Sequence, residues 1–408
     1  MDVQDLHGPS TPILFVLPSR SPELNEGVEE AQGIRLKMPM CQCYNHEVKR
    51  DPGCPVKNEK GGKSLSFKVV VTFYVPGIVP TYDELLTKLG AEVEKAFCTT
   101  EEELISACSE ADAVIALGIK ITPGYIFSLR VIENLNKCRL IALTGIGYDN
   151  VDMAAATQKG ICIANNPYYC LEEVSDHTMA LILACARKFY QLFPDIKSGK
   201  WSTQADYLAA LKPLHRLSGQ TLGLIGFGNI ARALVPKARA FGFRIIAYAP
   251  HVPSVLFDTF KVESVELNQL LRESDFVSMH TNLTAETKHM MGLEGFKQMK
   301  PTAYFINTAR GELVDEKALR TALSERLIAG AGLDVLESEP PDCSNPLLAL
   351  GNVIVTGHFA YYSEESRDEL FRWPWQEVGR ILQGEWPQGL VNPQAKDRFS
   401  AKWGAHRK

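Results

Sequence analysis

The sequence predicts an α/β protein built from two doubly wound parallel sheets, and three observations carry that expectation. From Phe67 onward, short apolar runs of strand length alternate with helical segments across short turns, the pattern of a parallel sheet covered on both faces. The stretch Thr221 to Pro250, TLGLIGFGNIARALVPKARAFGFRIIAYAP, reads as strand, glycine-rich turn, helix and second strand in order. The chain of 408 residues, 45% hydrophobic and 22% charged, is long enough for two to three ordinary globular domains.

Residues 1–66 stand apart. They are rich in Pro, Gly and charge, with one apolar patch from Ile13 to Leu17, and read as a mobile extension ending in a Gly61-Gly62 linker. Cys41, Cys43, His46 and Cys54 lie close together, but C-x-C-x2-H-x7-C is no established zinc spacing, so no metal is assigned. The first domain follows as residues 67–168. Its expected elements are a strand Lys68–Tyr74, a helix Tyr82–Leu89 ending at Gly90, and a strand Glu92–Phe97. Thr99 with Glu102 forms a capping box for a helix to Cys108. Strands Ala113–Leu117 and Leu140–Leu143, a helix Asn150–Lys159 closed by Gly160, and a strand Ile161–Ala164 complete it.

Glu172–Lys188 is the longest early helix, with Glu172, Glu173 and Asp176 at its start and Arg187 and Lys188 at its end, a charge order that suits the helix dipole. Its apolar body, Met179–Ala186, implies burial between domains or subunits. The second α/β domain falls within residues 169–360. After the Thr221–Pro250 unit it adds strands Phe276–Met279, Ala303–Asn307, Ala331–Val335 and Val353–Thr356, and Pro236 is expected to kink its first helix. The pattern predicts a helix over Ser363–Leu382 without fixing its place, and residues 394–408 form a basic tail.

In the glycine-rich turn, Gly226 lets the chain reverse sharply and Gly228 has no Cβ to keep a pyrophosphate from the backbone. The free N–H groups of Phe227, Asn229 and Ile230 at the helix start then face its charge. Ala231 stands at the third glycine position, which this fingerprint allows. Ala249 stands where an acidic residue would hold a ribose 2′-hydroxyl. No arginine follows in Pro250–Pro253 to receive a 2′-phosphate. NAD(H) is the expected cofactor, with NADP(H) left open.

Composition excludes several classes. A net charge of −5 gives no footprint for nucleic acid or anionic membrane, and no apolar run approaches membrane-spanning length. Asp2, Asp5 and His7 replace the basic start of a signal peptide. Ten cysteines are too sparse for a disulfide scaffold. The expectation is a reduced, soluble, cytoplasmic protein.

Three residues at strand ends carry coherent chemistry: Arg310 after FINTA, Glu339 before Pro340-Pro341, and His358 after VIVTG. Ligands of open α/β sheets sit at the carboxyl ends of strands. An arginine fork suits a carboxylate or polarised carbonyl, a histidine moves a proton near neutral pH, and a glutamate on the other ring nitrogen orients the imidazole.

These residues stand in a wider set of motifs: Asn307-Thr308-Ala309-Arg310-Gly311, Gly332-Leu333-Asp334-Val335 with Glu339-Pro340, His358, the loop Thr144–Asp152 and the segment Glu173–His177. Together they resemble the D-isomer-specific 2-hydroxyacid dehydrogenases over roughly Phe67 to Pro393, nearest the branch of phosphoglycerate-dehydrogenase-like enzymes and C-terminal-binding proteins. The resemblance implies a discontinuous flavodoxin-like substrate domain, residues 67–168 and 361–393, around an inserted Rossmann nucleotide-binding domain. It implies His358 as general acid in reduction, Glu339 holding it, and Arg310 gripping a small 2-oxo or 2-hydroxy acid. Backbone N–H groups of Ile146 and Gly147 would bind the carboxylate, with Tyr169 and Tyr361 lining the side-chain pocket. Asp334 would accept from the nicotinamide carboxamide, with His280 and Thr308 also on the cofactor side. It further implies a homodimer paired through the nucleotide-binding domain. An NADH-sensing scaffold for partner peptides is the alternative that this branch leaves open. Departures from the family are Gly357 before His358 and Asn282 after His280-Thr281, each where proline is usual, besides Ala249.

Overall fold

The computed structural model describes residues 67–120, 123–201 and 211–404. The extension, its Cys41–Cys54 cluster and the Gly61-Gly62 linker lie outside the described residues. Two parallel sheets carry the chain.

The first sheet has the order β2-β1-β3-β4-β5, from β1 (Phe67–Val71), β2 (Ala91–Lys95), β3 (Ala113–Leu117), β4 (Leu140–Thr144) and β5 (Cys162–Ala164). That is the flavodoxin-like winding. Alternate residues of one strand feed two cores. Val70 packs with Leu104, Ile132 and Ala156 from α2 (Glu101–Cys108), α3 (Leu129–Asn134) and α4 (Met153–Lys159). Val69 and Val71 pack with Leu86 of α1 (Asp83–Thr87) on the other face. Burial on both faces explains why Val69–Val71 of β1 and the whole of β3 read as unbroken apolar runs.

The second sheet has the order β12-β11-β10-β9-β6-β7-β8. It is built from β6 (Thr221–Ile225), β7 (Arg244–Tyr248), β8 (Glu263–Ser264), β9 (Phe276–Met279), β10 (Tyr304–Asn307), β11 (Gly330–Leu333) and β12 (Val353–Val355). Strand order reverses beside β6, the topological switch point where such sheets bind ligands. One face is covered by α5 (Leu171–Ala186), α7 (Asn229–Ala240) and α8 (Ser254–Phe260). The other is covered by α9 (Leu267–Glu273), α10 (Leu293–Gln298) and α11 (Glu316–Ser324). The short helix α6 (Phe189–Lys197) follows α5.

Several local expectations shift. The capping box lies one residue later than read: Thr100 accepts from the Glu103 N–H, and Glu103 reaches back to the Thr100 N–H. The first-turn carboxylates compete for one role, and Glu103 wins because it also binds the Thr99 N–H and hydroxyl. Helix α5 ends at Ala186, so Lys188 does not serve its dipole; it adopts φ 53° and its ammonium donates to Leu211 O and Lys212 O. The apolar body of α5 is buried inside the second domain, against α7, β10 and β11. Pro236 sits on the exposed side of α7, which continues through it to Ala240.

The closing segments return to the first sheet. Helix α12 (Glu364–Leu382) packs across β4, β3 and α1, burying Trp375. Asn392 then accepts from Ile163 N–H and donates to Ile161 O, stitching the chain to β5. The segment read as a basic tail forms helix α13 (Lys396–Trp403), whose Phe399 is fully buried in the first domain. Its single apolar stripe was hidden by the basic residues around it.

Candidate active site

The cleft between the two sheets gathers most of the sequence-predicted residues. The turn after β6 is as expected. Gly226 has φ +97°, and an added Cβ would lie 2.5 Å from His280 O. Gly228 is the N-cap of α7, which has no side-chain cap, and an added Cβ would meet nothing within 4 Å. An open cradle over free helix N–H groups fits a pyrophosphate. Asn229 and Phe227 are both tied to Arg232: its guanidinium donates to Phe227 O at 2.8 Å and Asn229 Oδ1 at 2.5 Å. Arg232 was not singled out from the sequence, although its place on the first turn of the helix was a usable signal.

The contact read for Phe227 is through its backbone N–H, and its ring belongs to the core. It is 1% exposed and stacks on Phe257 with centroids 4.8 Å apart, leaving only its backbone to face a ligand. Ala249 packs against the same core cluster, so the end of β7 offers a methyl group and no charge. Thr308 shares a hydrogen bond with Thr178, Oγ1 to Oγ1 at 2.9 Å. Substituting Gly228 by alanine should leave Tm unchanged, since the added methyl meets nothing, yet weaken NADH at least about tenfold, or ~1.4 kcal/mol. Thermal melts beside NADH fluorescence titration check both halves.

His280 follows β9, and its Nε2 shares a hydrogen bond with Ser278 Oγ at 2.9 Å. Burial pushes its imidazole down to about 4 from an ordinary 6.5. The unfolded chain therefore takes up this proton first as pH falls. The contribution of neutral His280 to stability is complete above about 6.5 and is lost progressively toward about 4. The loss is on the order of 3 kcal/mol. His280→Asn should flatten the decline of Tm across that window, and parallel curves for the two proteins would refute it.

At the ends of β10 to β12 the catalytic candidates come together. Asn307 brackets the turn that carries Arg310: its Nδ2 donates to Arg310 O and its Oδ1 accepts from Ala309 N–H. Gly311 then presses on the 336–339 segment so closely that a Cβ would lie 2.0 Å from Leu336 O. Glu339 is held by the Leu336 N–H on Oε1, at 3.0 Å, while its Oε2 accepts from His358 Nδ1–H at 2.6 Å. An ionised carboxylate only accepts, so this bond sets the tautomer and leaves Nε2 for proton transfer.

Asp334 organises the loop that presents His358. Its backbone carbonyl accepts from His358 N–H; its carboxylate accepts from Thr356 Oγ1, Phe359 N–H and Ala360 N–H. Three of about four acceptor positions are filled by the protein itself. Thr356 spends its one hydroxyl proton on Asp334, so His177 donates to it through Nε2 at 2.8 Å. Gly357 and His358 have φ values of 69° and 59°. Proline is locked near −65°, so the backbone at Gly357 excludes it.

From the first domain, Gly145 has φ +78° and Asn165 Nδ2 donates to Ile146 O at 2.7 Å, fixing the Ile146–Gly147 loop. Ile146, Tyr169, Ile230 and Tyr361 pack with Cys170, Val174 and Ala360 in one small apolar cluster. The two tyrosine rings are 6.3 Å apart, and burial raises both phenols so that they remain protonated. Arg310 crosses to the first domain through Asp149, and Lys120 pairs with the same carboxylate; neither partner was anticipated.

Residues 179–360 match the NAD-binding domain of the D-isomer specific 2-hydroxyacid dehydrogenases. The chain is 39% identical over 319 residues to D-3-phosphoglycerate dehydrogenase of Methanocaldococcus jannaschii, spanning 58% of that protein's length. It is 38% identical over 299 residues to glyoxylate reductase of Korarchaeum cryptofilum, covering 72% of this chain and 87% of that one. A glyoxylate reductase structure from Paecilomyes thermophila superposes with a TM-score of 0.72 at 27% identity, covering 81% of this chain and 99% of the other. With its two windings and these similarities, the chain belongs to the D-isomer-specific 2-hydroxyacid dehydrogenase family.

Proposed function

We propose that this protein is an NAD(H)-dependent oxidoreductase that interconverts a small 2-oxo acid and its D-2-hydroxy acid, with His358 as the general acid and base. The observation that carries the reading is the His358–Glu339 pair at 2.6 Å, with Arg310 at a neighbouring strand end lying against the Gly147 backbone. When bound, the dinucleotide supplies or accepts the hydride. His358 Nε2 gives a proton to the carbonyl oxygen in reduction and takes it back in oxidation, while Glu339 holds the ring and offsets its charge. Arg310 and the N–H groups of Ile146 and Gly147 bind the carboxylate, and Asp334 keeps one acceptor position for the carboxamide. Tyr169 and Tyr361 form an apolar wall, which suits a small or aromatic substrate side chain better than a phosphate. The reductases of glyoxylate among its relatives point the same way.

NAD(H) is the first choice of cofactor. Ala249 neither repels a 2′-phosphate nor holds a 2′-hydroxyl, so NADP(H) is the second cofactor to test. The protein works as a homodimer in a reducing cytoplasm: the Phe189, Phe193 and Ile196 side chains of α6 are 37%, 61% and 45% exposed, and six of the described cysteines are buried free thiols. Among the described residues no helix is long and apolar enough to cross a membrane. The test is oxidation of NADH and NADPH with glyoxylate, hydroxypyruvate, pyruvate, phenylpyruvate and longer 2-oxo acids. Turnover of one establishes the reading; tight NADH binding without turnover on any would overturn it.

A further inference from the structure

We propose that Asp149 is the positioning residue for Arg310: it joins the guanidinium to the first domain and sets which edge of the fork meets a substrate carboxylate. This rests on the function proposed above. Asp149 lies in the turn between β4 and α4, and Arg310 follows β10 in the other sheet. Arg310 Nε–H donates to Asp149 Oδ1 at 3.3 Å, and one terminal nitrogen donates to Ala309 O at 2.8 Å. The other terminal nitrogen lies over Gly147, where an added Cβ would fall 1.8 Å from it. Nε is thus committed to Asp149, and the edge formed by the terminal nitrogens is presented beside the loop whose N–H groups would receive a carboxylate.

A fixed carboxylate next to an anion site would ordinarily repel the substrate. Lys120 answers that: its ammonium is 3.2 Å from Asp149 Oδ2, and the trio of two cations and one anion keeps a net positive charge. Burial acts to raise the Asp149 carboxyl, but Arg310 and Lys120 outweigh it and hold it below the usual carboxylate range. Asp149 is therefore ionised in this pair, and the aim of the arginine is tied to the seating of the Asp149 turn beside it.

The test is a double-mutant cycle read on kcat/KM with the best substrate of the 2-oxo acid panel. Asp149→Ala should cost on the order of tenfold to a hundredfold, and Asp149→Asn, which keeps an oxygen for Nε–H, should recover most of it. In an Arg310→Ala background the same Asp149→Ala change should cost less than about twofold, because its target is gone. An undiminished cost there would overturn the proposal, since a residue that only stabilises the fold acts regardless of Arg310. A second readout needs no turnover. In arginine-selectively 15N-labelled protein, the Arg310 Nε–H signal, assigned by its loss in Arg310→Lys, should shift in Asp149→Ala; an unmoved signal would overturn the proposal. If the wild type turns over nothing, the enzyme reading fails while this signal still decides the role of Asp149.

Discussion

Replacing His358 by alanine should lower kcat about a hundredfold to ten-thousandfold, with NADH affinity and Tm close to wild type. The expectation follows from what the ring touches. Its Nδ1–H is spent on Glu339, and it makes no contribution to either hydrophobic core. What holds the 356–360 loop is Asp334, which binds the backbone N–H groups of residues 358, 359 and 360 and is indifferent to the side chain at 358. Losing the ring thus removes the proton carrier and leaves its mount. The φ of 59° adds a second expectation: alanine, like histidine, is strained there, so His358→Gly should be no less stable than His358→Ala while being just as inactive. Glu339→Gln should fall between, because an amide oxygen can still accept from Nδ1–H but supplies no charge. Stopped-flow turnover with NADH titration checks the series. Near-native kcat in His358→Ala would remove it from the chemistry.

Features encoded by a short stretch of chain were legible in the sequence, and features made by distant chain were not. The turn Gly226–Gly228 declared itself because strand, reversal and helix are consecutive, and its geometry is as read. The strand ends bearing Arg310, Glu339 and His358 were found for the same reason. By contrast, Arg310 and Asp149 are 161 positions apart, and nothing local to either announces the pair. Phe227 shows a different limit: spacing placed it in the turn but could not say which way its ring points, and the core took it. Helix α13 was missed because its buried positions are few among basic neighbours. Gly357, legible only as a departure from the family's proline, has a φ of 69° that proline would forbid.

Arg310→Ala should reduce kcat/KM for a 2-oxo acid by about a thousandfold or more, because two effects add. Loss of a charge-assisted bidentate contact costs roughly 2–4 kcal/mol, and Asp149 is left without its partner across the cleft. Arg310→Lys should recover little, since an ammonium cannot at once reach Asp149, Ala309 O and a carboxylate. The more telling variant is Gly147→Ala. The backbone of Gly147 is not left-handed, so alanine is tolerated there, but its methyl falls 1.8 Å from a terminal nitrogen of Arg310. The side chain must swing away. Held at Nε by Asp149 and at its other terminal nitrogen by Ala309, it can do so only by breaking one of those bonds. Gly147→Ala should therefore reproduce most of the Arg310→Ala defect with the arginine still present, and the two changes together should be no worse than Arg310→Ala alone. Additive losses would instead mean that the methyl disturbs the substrate loop itself, with the fork of Arg310 free to find another path.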